Sequence, residues 1–538
     1  IVHEDRKAPV VAISTWYNVG SKDEPKGKTG FAHLFEHIMF NGSENLPGDF
    51  FEYLQNIGAT DYNGTTWFDR TNYFQTVPRG ALDMGLFMES DRMGYLLGAV
   101  TQEKLDNQIG VVQNEKRQGD NRPGGLVDYE VLANLFPDGH PYQHDTIGSM
   151  ADLDSASLRD VKQWFIDKYA PNNAVLVLAG DISAAEARPL VEKYFAAIPR
   201  GPVNNPAEAD VPTLSAPKSI VMKDRVAAVQ LQRHWAVPGL LSDQLAALDL
   251  GGSILGGLAS SRLDKILVRD EKLAVAVTAG LQPFHRIGMF QVTATVKPGV
   301  DPAVVDQRLT EIMADYLANG PTEDEVRRAA TQDVASRIRG LEQVGGFGGK
   351  AVALAEGQVY AADSNFYKKT LDAYAAVTPA EIKAAMQQWL SRPSFNVRLE
   401  PGERPPYEEA KGPKSAKADM PSTKTVRPLP AIGQTPPLDF PDVQHVTLSN
   451  GVKLSYAQRT AVPVTNLALS FDAGYSADVR AGRGLQNLTL NLLEEGADGL
   501  TSQQIAEEQE RLGAQIAASG GADRSNVTLS ALTANLGP

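Results

Sequence analysis

The 538-residue chain contains no cysteine. A disulfide, a thiolate metal site and a cysteine nucleophile are therefore excluded, and any metal has to be held by histidine and carboxylate. No long uncharged apolar run is present, so nothing reads as a membrane-spanning helix. Positive charge is also in deficit, with 51 Lys and Arg against 65 Asp and Glu and a formal net charge of -14. Nucleic acid is not an expected partner, because clustered cations are what displace counterions from a phosphate backbone. The first residue is Ile1 rather than Met, and no charged segment followed by an apolar stretch comes after it. A processed or truncated start is expected, with any export signal already removed or never present.

What is present is a globular composition, 42% hydrophobic and 22% charged, in a chain long enough for about three domains. By apolar period and β-branched content, residues 10–19 read as a strand and 31–41 as a helix, with Gly30 marking the change. A helix over 49–56, strands over 59–66 and 71–77, and helices over 81–97, 101–118 and 126–135 follow. A strand over 173–179 and a helix over 184–198 close this first unit. Strands and helices interleave without regular βαβ alternation, so the expected fold class is α+β, built from repeated two-layer α/β-sandwich domains. The chain divides into a first domain at 1–200, a Pro-rich linker at 201–217 and a second α+β domain at 218–400. A longer Pro-rich connector at 401–442, suited to a hinge or strap, leads to a third domain at 443–538.

That third domain repeats the first. Pro9-Val10 returns as Pro463-Val464, and Asp69-Arg70-Thr71-Asn72 returns at the same displacement as Asp523-Arg524-Ser525-Asn526. Between these anchors 30–42 maps onto 484–496, keeping the apolar positions of the helix and replacing its polar ones. His33, Glu36 and His37 become Asn487, Leu490 and Asn491, so the copy keeps a scaffold and drops a chemistry. It stops at Pro538 without counterparts of the long helices of the first unit, and the chain is expected to be a fragment.

The chemistry in question is metal binding. Residues four apart share one face of a helix, so His33 and His37 can direct imidazole nitrogens at one ion, while Glu36 can reach a water beside it without ligating. This is His-Glu-x-x-His in inverted order. A catalytic zinc needs a third protein ligand and an open position. Leu105, Ile109 and Val112 mark the buried face of the next long helix, and Glu115 is read as continuing that face, a carboxylate turned to the core that coordination would explain. Two surface histidines are the plain alternative. His3, His234, His285 and His445 stand alone and read as structural; His140 and His144 form a turn-rich loop that is either a second metal site or, preferably, the lining of a cleft.

These residues resemble the inverted-zincin peptidases of the pitrilysin and insulysin group, which includes mitochondrial processing peptidase and many bacterial members. The match covers 30–42, 63–74 and 110–115, and more weakly 255–263. The resemblance implies a clamshell of two halves, each of two similar α+β domains, with one Zn²⁺ in the first domain. It carries the zinc ligands onto His33, His37 and Glu115 and the general base onto Glu36, and places Gln108 where many relatives have a second acid. It further implies a peptide bound as an added strand beside Asn63-Gly64-Thr65-Thr66, in keeping with edge-strand physics; an ordinary polar turn is the plain reading of those four residues. The expected function is a zinc-dependent endopeptidase acting on peptides or unfolded polypeptides enclosed between two halves, the second half lying in the same chain or in a partner subunit. The alternative is a non-catalytic scaffold or partner subunit. The expected compartment is periplasmic or otherwise exported in a bacterium.

Overall fold

The computed structural model describes residues 1–405, 409, 411–412, 426–480 and 482–537. A first five-stranded sheet is made by β1 (Val2–Glu4), β2 (Val10–Tyr17), β3 (Thr60–Thr66), β4 (Thr71–Pro78) and β5 (Ala174–Gly180), in the order β1-β5-β2-β4-β3. β1 and β5 run parallel and the other pairs antiparallel; β1 and β3 are the edges, and among the described residues no strand pairs with the outer side of β3. Helices α1 (Phe31–Phe40), α2 (Phe50–Asn56), α3 (Leu82–Gly94) and α4 (Gln102–Asp120) belong to the same unit.

β2 is Val-Val-Ala-Ile-Ser-Thr-Trp-Tyr, buried along nearly its whole length and without hydrophobic-polar alternation. A strand of that kind needs cover on both faces. Val11 and Ile13 pack against Leu86 and Phe87 of α3. Ala12 and Trp16 pack on the opposite face against Ala351, Leu354 and Ala355 of the helix Lys350–Ala361, which belongs to the second unit.

That second unit repeats the arrangement. β6 (Lys218–Asp224), β7 (Gln230–Pro238), β8 (Ala274–Pro283), β9 (Ile287–Val296) and β10 (Phe395–Pro401) pair in the order β6-β10-β7-β9-β8, again with one parallel pair at the edge. The cover is reciprocal, because helix Val127–Leu135 of the first unit packs on Ala236 of β7 and Val397 of β10. Each sheet therefore has its own helices on one face and a helix of the other unit on the second. The α+β class holds, with the outer layer exchanged between units.

After Pro401, Arg404 pairs with Asp224 and donates to the backbone oxygens of Asp120 and Arg122. Arg427 pairs with Asp91 at 2.8 Å, its guanidinium lying over the rings of Phe87 and Tyr95. Residues 406–408, 410 and 413–425 of the expected connector lie outside the described residues. Strands Val464–Phe471, Gln515–Gly520 and Ser525–Leu532 then form a smaller sheet. Its pairing of Val464 with Leu532 reproduces, at the displacement of the sequence repeat, that of Val10 with Pro78. Helix Ser502–Leu512 of this part docks on helix Glu323–Gly340 through a buried Arg328–Glu510 pair at 2.6 Å. Among the described residues no helix is long and apolar enough to cross a membrane.

Candidate metal centre

Gly30 adopts a left-handed φ of 91° at the start of α1, and the Glu24 carboxylate accepts hydrogen bonds from the N–H groups of Gly30 at 2.9 Å and Ala32 at 2.7 Å. An acid at a helix N-terminus satisfies orphan donors and complements the helix dipole. The repeat copies the device, Asp478 accepting from Gly484 and Gln486 ahead of helix Leu485–Asn491, with Gly484 at φ 90°. The sequence reading missed this acid, although its recurrence at the repeat displacement was a usable signal.

α1 buries Leu34, Phe35 and Ile38 and turns His33, Glu36 and His37 toward α4 and β3. His33 Nε2 and His37 Nε2 lie 3.3 Å apart, and Glu115 Oε2 is 3.4 Å from His37 Nε2 and 3.7 Å from His33 Nε2. Tetrahedral ligands at zinc distances are separated by about 3.3 Å, so the three residues fit the ion without rearrangement. Burial, with His37 beside it, holds His33 down to about 3, leaving the neutral imidazole that a metal requires. Among the described residues this is the one group of three side chains of metal-ligand type that meets.

Glu115 is 45% exposed, which corrects the expectation that it faces the core. At 100° per residue it lies roughly 80° around α4 from Leu105, off the buried stripe, whereas Lys116 falls at about 20°. Lys116 is the buried residue of that turn, its ammonium over the Tyr129 ring and 3.4 Å from Asp120. Glu115 instead overhangs a cavity of about 420 Å³ lined also by His33, Glu36, His37, Asn63 and Gln108.

Glu36 is nearly buried, and burial pushes its carboxyl up to about 7 against the opposing Thr66 hydrogen bond and the Arg70 charge. Thr66 Oγ1 donates to Glu36 Oε2 at 2.6 Å. Asn63, Gly64, Thr65 and Thr66 are strand residues on β3, not a turn, so the backbone beside the site is a free sheet edge. Gly64 is required there: a Cβ would come 2.6 Å from the Phe40 ring and 3.2 Å from Glu36 Cγ. Phe40 has little room to retreat, being stacked on Phe51 at 4.7 Å. Gly64→Val is therefore expected to displace Glu36, to lower stability by about 1–3 kcal/mol and to slow any reaction that uses the Glu36 carboxylate about tenfold or more. Thermal melting and kcat measure the two effects; unchanged kcat would mean that Phe40 yields instead.

The remaining histidines are apart from this group. His140 stacks on Phe136 with Nε2 3.0 Å from the Asp210 oxygen, and His144 lies 3.6 Å from Glu24. His234 contacts Gln232, and His285 stacks on Tyr360.

A helix bearing His-x-x-Glu-His, met by a carboxylate from a second helix beside a sheet edge in an α+β unit, defines an inverted-zincin type of protein. Residues 1–139 match the family model described as insulinase (peptidase family M16), and 155–332 match the one described as peptidase M16 inactive domain. The chain belongs to peptidase family M16. It is 27% identical over 347 residues to the zinc protease PqqE of Helicobacter pylori, covering 63% of this chain and 76% of that protein. A solved protease from Helicobacter pylori superposes with a TM-score of 0.67 at 23% identity, covering 74% of this chain and 97% of that one. The periplasmic protease PqqL of Escherichia coli shares the fold at a TM-score of 0.60 and 16% identity, covering 98% of this chain and 62% of its own.

Proposed function

We propose that the chain is a zinc-dependent endopeptidase in which His33, His37 and Glu115 hold one Zn²⁺ and Glu36 is the general base. The observation that carries this reading is the convergence of three ligand atoms from two helices within 3.7 Å of one another, with Glu36 lining the same cavity. Bound there, Zn²⁺ would supply Lewis-acid polarisation of a water and of a peptide carbonyl. Thr66 holds Glu36 Oε2 and leaves Oε1 to take a proton from that water and pass it to the leaving amine. Asn63 to Thr66 offer main-chain groups at the sheet edge to an extended peptide, which fixes its register beside Glu36.

The division at 1–200, 218–400 and 443–538, with connectors at 201–217 and 401–442, is part of the proposal. So is a second half, in the same chain or a partner subunit, that encloses the peptide. An exported, periplasmic setting goes with it, supported by the periplasmic description of PqqL.

Purified chain is expected to carry about one zinc, to cleave unfolded polypeptide, and to lose cleavage to a chelator and regain it on adding zinc. Metal analysis beside a digest measures this. No zinc and no cleavage would leave a non-catalytic scaffold or partner subunit; zinc without cleavage would leave a structural site.

A further inference from the structure

The face of the first sheet that looks away from the metal group carries a second cavity. Directly paired residues share a face, and Thr65, Asn72 and Trp16 form one row across β3, β4 and β2. Gly64 and Thr66, one position to either side, belong to the other face, where they meet Glu36. Over the Thr65 row the second unit leaves a space of about 360 Å³ between the sheet, His285 and the helix Lys350–Ala361. Thr65 is an edge-strand residue, so this space adjoins the edge along which an added strand would run. Phe347, 68% exposed and packed edge-on to Phe74 at 4.9 Å, forms one wall.

Two of the four charged residues around this space, Asp69 and Arg337, are satisfied. Asp69 accepts from the Tyr142 hydroxyl at 2.5 Å and from the His285 N–H at 2.9 Å, and Arg337 pairs with Asp333 and Asp249. Two are not: among the described residues neither Arg70 nor Glu356 has an ion-pair partner, though each lines the space and feels the charge of the other. Arg70 lies over the Trp16 ring at 5.2 Å and donates through Nη1 to the Thr65 oxygen at 3.0 Å. Its other donors are uncommitted, and His285 Nε2 is buried without a partner. Burial pushes the Glu356 carboxyl up toward its neutral form, whereas a guanidinium does not give up its proton, so Arg70 sets the sign of the field.

Resting on the peptidase reading above, we propose that this cavity is a specificity subsite that takes an acidic side chain, Asp or Glu, of the peptide strand added to β3. Side chains of an added strand alternate between the two faces of the sheet. Those on one face meet Glu36 and the metal group; the intervening ones enter the space before Arg70, where carboxylate and guanidinium make a charge-assisted pair.

An alanine-rich peptide with Glu, Gln, Leu or Lys scanned through its positions tests this in two arms. One is cleavage by the whole chain; the other is binding to the Glu36→Gln variant by fluorescence anisotropy. Glu is expected to exceed Leu and Lys by about tenfold or more at one position, or at two positions two apart. Arg70→Gln is expected to bring the Glu-to-Gln ratio toward one in both arms, and Glu356→Gln to increase it by removing the competing carboxyl. A ratio that is the same in wild type and Arg70→Gln overturns the subsite, as does a preference for Lys that Glu356→Gln abolishes. Binding with the Glu preference but no cleavage defeats the peptidase reading and keeps the subsite, while no binding by any peptide overturns both.

Discussion

Replacing Glu36 by glutamine is expected to abolish peptide cleavage while leaving zinc bound. Glutamine keeps the shape of the side chain and an oxygen for the Thr66 hydroxyl, which now donates at 2.6 Å, and removes only the capacity to accept a proton. Glu36 is not among the three converging ligand atoms, so metal content has no reason to fall. Nor does the fold, since exchanging a nearly buried carboxyl for a neutral amide costs little and relieves desolvation. Loss of a general base costs about two to four orders of magnitude. Turnover of an unfolded polypeptide beside zinc analysis measures both. Full turnover by the glutamine variant would remove Glu36 from the mechanism.

Glu115→Ala is expected to lose the metal without harming the metal-free fold. In the proposed site the Glu115 carboxylate comes from α4, whereas both imidazoles come from α1, and two ligands on one helix do not enclose an ion. Because the side chain is 45% exposed, its removal opens no cavity and strands no buried partner. Stability without metal is expected to stay within about 0.5 kcal/mol of wild type. Zinc per chain is expected to fall from about one to near zero after dialysis, and the rise in melting temperature on adding zinc to vanish with it. Retention of stoichiometric zinc would show that Glu115 is not a ligand. A large loss of metal-free stability would instead give Glu115 a structural role in the metal-free fold.

Local features of the chain were readable because their causes are local. The helix expected at 31–41 is Phe31–Phe40, and the strands expected at 59–66 and 71–77 are Thr60–Thr66 and Thr71–Pro78. The i, i+4 spacing of His33 and His37 brings their nitrogens to 3.3 Å, since helix geometry alone dictates it. The repeat was legible for the same reason, position by position, down to the glycine before each helix.

The errors arose where a side chain's surroundings come from elsewhere in the chain. Glu115 was read as buried because an i+3 step follows Val112, but the stripe it was assigned to ends before it and Lys116 takes the inner place. The unalternating burial of β2 called for a second cover, yet nothing near β2 in sequence announces that Ala351, Leu354 and Ala355 provide it. That Arg70 and Glu356 line one cavity is likewise not announced in sequence and comes about only because the two units exchange covering helices.

By itself, then, the sequence determined an α+β repeat, the restriction of any metal chemistry to histidine and carboxylate by the absence of cysteine, and the meeting of His33 and His37 by helical spacing. Tertiary structure decided that Glu115 reaches those two from the open side, that β3 is left as a free edge beside Glu36, and that a charged cavity lies behind that edge. The division follows from range: backbone periodicity acts over a few residues, whereas exposure, edge and cavity are set by packing between segments distant along the chain.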